Sequence, residues 1–161
     1  MHDKKIVFFD IEVSENRIKD IGAFIDKGNE FHSANPYEFQ KFIKNAHFAV
    51  GHNIFKHDLK YLQNIFDNAN VKCFIDTLTL SVLLFPQKPY HKIEKDYKND
   101  TDDINNPLND SKLSAIRFED EIDTFSKLDE KLKCIYYTIL HEQKEFKDFF
   151  IYINYNEIST D

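Results

Sequence analysis

The 161-residue chain is the length of one domain with a single core, and its 42% hydrophobic residues, 16 Phe and 8 Tyr among them, are enough to fill that core. No apolar run approaches the roughly twenty residues that span a bilayer, and Met1-His2-Asp3-Lys4-Lys5 leads directly into a strand rather than a signal peptide; a soluble, cytoplasmic protein with no membrane partner is expected. The net charge of -7 argues against a broadly basic nucleic-acid binder, and two distant cysteines, Cys73 and Cys134, argue against a disulfide scaffold or a zinc site.

Residues 6–13 form an apolar, β-branched and aromatic run that predicts a first strand, with Asp10 and Glu12 at its end. Residues i and i+2 of a strand share a face, so these two carboxylates are expected side by side on a buried surface. Desolvation and mutual repulsion both oppose that, and a hard divalent cation relieves both. The competing expectation is an edge strand whose acids face water.

Residues 17–25 read as a second strand, and Asp26-Lys27-Gly28-Asn29 as a turn into a third at residues 30–33. Asn35-Pro36 opens a helix with Phe39, Phe42 and Ile43 at helical spacing. Residues 48–50 are a short strand, followed by Gly51-His52-Asn53 and a helix carrying Leu59, Leu62, Ile65 and Phe66. Asn53 is placed to cap that helix, with Asp58 about one and a half turns in, on the face of Leu62. Residues 71–75 are a fifth strand, and Asp76 or Thr77 caps a helix running to Pro86.

From Gln87 to Asn106 the apolar period disappears over a stretch long for a connection, which points to a functional segment. Pro107 starts a further helix with Asp110 in its first turn, followed by helical stretches at about 123–140 and 143–155 and a polar tail. The expectation is an α/β fold: a mixed five-stranded sheet flanked by helices, with residues 1–118 as the core and 119–161 as a helical extension of the same domain.

The order and flanks of these acids resemble the DEDD superfamily of 3'-to-5' exonucleases, over residues 4–118. Asp10 and Glu12 match its D-x-E strand motif; His52, Asn53 and Asp58 match its second motif, with His57 where an aromatic is usual; Asp76-Thr77-Leu78 matches a D-T-L between motifs two and three. The third motif departs, because aligning its last acid with Asp110 puts Asn105 where a histidine belongs. His91 then stands as the substitute base, and a rival alignment takes His91 with Asp96 instead. Lys88-Pro89-Tyr90-His91 with Asn106-Pro107-Leu108-Asn109-Asp110 is also similar to the exonuclease domain at the N-terminus of some bacterial RecQ-like helicases.

The resemblance implies a ribonuclease H-like fold and hydrolysis of single-stranded DNA or RNA from its 3' end, releasing nucleoside 5'-monophosphates. It implies two Mg2+ or Mn2+ ions held by Asp10, Glu12, Asp58 and Asp110, His91 taking a proton from water, and a fused or associated helicase as partner. Tyr90, Phe55 and Tyr61 are candidates for stacking on bases, while His47, His52 and His57 read as capping, core or surface residues. Two other expectations stand beside this one: a catalytically degenerate domain that binds nucleic acid or a partner, and an unrelated α/β interaction domain with solvated acids.

Overall fold

The structure, a computed structural model, describes residues 4–26, 28–91 and 106–156. Its five strands are β1 (Ile6–Ser14), β2 (Arg17–Phe24), β3 (Glu30–Ser33), β4 (Phe48–Gly51) and β5 (Cys73–Asp76), in the spatial order β3-β2-β1-β4-β5. β1, β2 and β3 form an antiparallel meander, and β4 and β5 continue the sheet in parallel with β1. The β1–β2 turn consists of Glu15 and Asn16, both at positive φ, as a two-residue hairpin joining right-twisted strands requires.

Alternation along β1 divides its side chains between two cores. Val7, Phe9 and Ile11 point to the face covered by α1 (Pro36–Phe42) and α2 (Leu59–Asn68), where Phe39, Leu62 and Phe66 meet them. Ile6, Phe8, Asp10 and Glu12 point to the opposite face, where α3 (Thr77–Leu84), α4 (Pro107–Ser126) and α6 (Lys147–Tyr152) bring Leu80, Phe118, Phe125, Phe149 and Phe150. The acids therefore lie on the face that α4 covers. They are half-buried rather than fully buried, so the expected buried pair is only partly enclosed.

Several boundaries differ from expectation, and the helical stretch expected at 143–155 is reduced to α6. Residues 53–58 are turns, and α2 begins only at Leu59, because Asn53 takes a positive φ of 63° that breaks the helix instead of capping it. α4 is a single helix of 20 residues that runs unbroken through residue 118 and stops at Ser126. α5 (Glu130–Leu140) then starts from Asp129, whose carboxylate accepts the N–H groups of Lys131 and Leu132, so the helix expected to start near residue 123 is two helices with a cap between them. No helix among the described residues is long and apolar enough to cross a membrane.

Candidate metal-binding carboxylate site

Asp10, Glu12 and Asp110 each place a carboxylate oxygen within 4.8 Å of the others. Two of them come from β1 and the third from the first turn of α4, a hundred residues later in the chain. Asn106 builds that turn: its side-chain oxygen accepts the N–H of Leu108 at 3.0 Å, and Pro107 occupies the first helical position, where its missing N–H costs nothing. The close seat of the helix on the sheet depends on Gly22, the β2 residue directly opposite Asp10. A methyl group at Gly22 would overlap the backbone of Pro107 and Leu108. Glycine is thus what lets the start of α4 lie on the strands and deliver Asp110, only 7% exposed, to the two strand acids.

Asp58 reaches the same region by a different route. β1 and β4 pair up to Phe8 and Val50. Beyond that point, Asp58 Oδ1 accepts the N–H of Ile11, the residue between the two strand acids, at 3.1 Å. Its carboxylate is therefore anchored to the backbone beside Asp10 and Glu12 and is not one of the three oxygens that converge. Burial pushes the Asp58 carboxyl above its usual range, while the ring of His57, 3.2 Å from Oδ2, draws it back down. The same contact raises the His57 pKa above its ordinary value, and the charge of Glu12 adds to the shift.

The turn that carries Asp58 is braced from β5. Asp76 Oδ1 accepts N–H groups from Asn53 at 2.8 Å and Leu78 at 2.9 Å, and Oδ2 accepts that of Phe55 at 3.3 Å. Asp76 is thus both the cap of α3 and the clamp on residues 53–55, a double role that a D-T-L segment alone does not reveal.

His91 lies in a separate polar group between α3 and α4. Its Nδ1 is 2.9 Å from Ser81 Oγ, which also accepts from Arg117 at 3.3 Å. His52 belongs to the same group: its Nδ1 is 2.8 Å from Thr77 Oγ1, which donates to the Gly51 carbonyl. Burial, the largest cause, and the charges of Arg117 and His91 lower the His52 pKa to about 4, so its ring is neutral at ordinary pH. Among the candidate histidines, His57 rather than His91 has a described link to the carboxylates. His47 accepts the Lys5 N–H and lies outside the site.

Of the aromatic candidates, Tyr90 is exposed, while Phe55 and Tyr61 are half-buried, Tyr61 beside the His57 ring. Asn105 and Asp96, the residues on which the third-motif alignments turn, lie outside the described residues. Gly22 acts at the site, and Arg117 in the polar group with His91, without standing out in the sequence. The signal for Gly22 is a glycine inside a strand pattern, which marks close backbone approach. Arg117 had no signal, because its partners come from helices distant in sequence. Compared with known protein families, curated proteins and solved structures, the chain matches none significantly.

Proposed function

We propose that the chain is a metal-dependent 3'-to-5' exonuclease of the DEDD type, acting on single-stranded DNA or RNA 3' ends and releasing nucleoside 5'-monophosphates. The observation that carries this reading is the convergence of Asp10, Glu12 and Asp110, from a strand and a distant helix, with Asp58 anchored to the backbone between the first two. An all-carboxylate donor set with no cysteine or histidine in it suits Mg2+ or Mn2+ better than zinc. Asp10, Glu12 and Asp110 would hold the ions, with Asp58 supporting them. Bound there, such ions supply a nucleophile at neutral pH and charge stabilisation at the leaving oxygen.

The remaining chemistry belongs to the chain's own groups. Asp58 keeps β1 in place at Ile11, so the strand acids stay aligned when the substrate's own negative charge arrives. A histidine takes the proton released from water. The resemblance gives that role to His91, whose ring is hydrogen-bonded to Ser81 of α3. His57 competes for the role because Asp58 orients its ring and Glu12 acts on it. A helicase, fused or associated, belongs to this reading as a partner. The second reading is a domain that binds nucleic acid without cleaving it, favoured by asparagine at position 105.

Degradation of single-stranded DNA and RNA, labelled at the 3' or the 5' end and assayed with Mn2+ or EDTA, tests the proposal. Asp10→Asn and Asp110→Asn are expected to lose turnover and Mn2+ binding with the melting transition retained, and Asp96→Asn to lose neither. Removing the proton acceptor costs on the order of a hundredfold in rate, so His91→Ala and His57→Ala measured side by side assign it. Hydrolysis that survives EDTA or the Asp10 change would overturn the two-metal reading.

A further inference from the structure

Although the chain carries a net charge of -7, five of its exposed lysines line two adjoining depressions. Lys60, Lys72, Lys144 and Lys147 surround a depression of about 410 Å3 floored by Phe55 and Phe74. Lys56 lines an adjoining depression of about 540 Å3, which shares Phe55 and Lys144 with the first and is also lined by the carboxylates Asp76 and Glu145. The Lys144 ammonium stands 5.3 Å from the centroid of the Phe55 ring. Among the described residues none of the five is in an ion pair, whereas Lys112, Lys127 and Lys133 each are. The one carboxylate in the first depression, Asp148, is buried, and its Oδ2 accepts the Phe74 N–H at 2.9 Å.

Lysines held close together around an aromatic floor, none of them in an ion pair, are an arrangement that a bound anion stabilises. Phosphates spaced along a strand, with bases between them, match lysines set around a half-exposed phenylalanine. One short segment contributes both to the depression and to the strand that carries the acids. Residues 55–60 carry Phe55 and Lys60 at the depression and Asp58 at β1. We propose that this lysine-lined depression holds the backbone of a single-stranded nucleic acid on the 5' side of its terminal nucleotide, with a base against Phe55. The proposal rests on the carboxylate site being where the 3' end sits. It gives the extension after Ser126 a task, because Lys144 and Lys147 belong to it.

Fluorescence anisotropy of 5'-labelled oligothymidylates, measured with the full chain in EDTA at several salt concentrations, tests this without any turnover. The wild type is expected to bind a dodecanucleotide at least tenfold more tightly than a trinucleotide. Lys144→Ala/Lys147→Ala and Lys60→Ala/Lys72→Ala should erase most of that gain and lower the log-log salt slope by about 0.7 for each lysine removed. Lys127→Ala, outside the depression and paired with Asp123, should change neither. Equal affinity of the double variants and the wild type for the dodecanucleotide overturns the proposal. So does polyglutamate competing as well as the oligonucleotide, which would make the surface a general acceptor of acidic chains. Because the readout is binding in EDTA, loss of the nuclease reading and loss of this one are separate results.

Discussion

Glu121 is an acid enclosed within the fold. It sits one turn after Arg117 on α4, fully buried, and neither carboxylate oxygen has a hydrogen-bond partner among the described residues. Burial pushes its pKa up to about 9; the Arg117 guanidinium pulls the other way and is outweighed, while Asp76 adds to the rise. The side chain is therefore held as a neutral acid at pH 7. In the unfolded chain it titrates near its ordinary 4.5, so the native state keeps a proton the unfolded state has lost. Its stabilising contribution is full below that value and is lost as pH rises towards 9. One such group makes stability fall by up to about 1.4 kcal/mol per pH unit across the window. Urea unfolding at several pH values is expected to show that decline in the wild type and a much flatter profile in Glu121→Gln. Parallel profiles for the two proteins would mean that Glu121 is ionised and compensated in the fold.

At the scale of elements, the candidate site is a joint between β1, β2 and the start of α4. β1 contributes a fixed pair of acids, α4 contributes the third, and Gly22 sets their separation by letting the helix backbone lie on the strand. Gly22→Ala is expected to keep the sheet and shift the first turn of α4, weakening Mn2+ binding at least tenfold and lowering the melting temperature. Overpacking of this kind costs typically 1–3 kcal/mol. Mn2+ titration with thermal unfolding checks it, and unchanged metal affinity would show that Asp110 is not held through this contact. The same logic explains why Asp76 is buried and rich in hydrogen bonds. A turn of six residues with a left-handed Asn53 has few bonds of its own, and a neighbouring strand end supplies them.

On the scale of the whole molecule, the helices after residue 126 complete the second core. Phe149 is 1% exposed and packs edge-on against Phe125, with ring centroids 5.5 Å apart, and against Phe118 at 6.5 Å. Asp148 meanwhile accepts a backbone N–H of β5, so α6 is tied to the edge of the sheet by both apolar and polar contacts. Phe149→Ala is expected to cost about 3–5 kcal/mol, the range for emptying a phenylalanine site in a packed core, measured by urea unfolding. A cost under about 1 kcal/mol would mean that the extension contributes little to the fold. α5 differs: it has no buried residue, and Ile135 and Ile139, one turn apart, are exposed.

Local signals in the sequence settled the five strands and their α/β setting. A β-branched and aromatic run identified β1, the turn residues at 26–29 separated β2 from β3, and Asn35-Pro36 and Pro107 marked two helix starts that the structure keeps, because strand runs and helix starts depend on near neighbours. The pairing of Asp10 with Glu12 was legible for the same reason, being a consequence of a two-residue period. What brings Asp110 to them is not local. It depends on β4 and β5 lying parallel beside β1, on α4 crossing the same face, and on one glycine at the crossing. Asp58 shows the limit most clearly: its spacing from Leu62 implied a place on a helix face, whereas its function in the fold is to take the Ile11 N–H where the β1–β4 ladder ends. A backbone donor left open at the end of a ladder has no signature in sequence, so only the assembled sheet could decide which side chain would satisfy it.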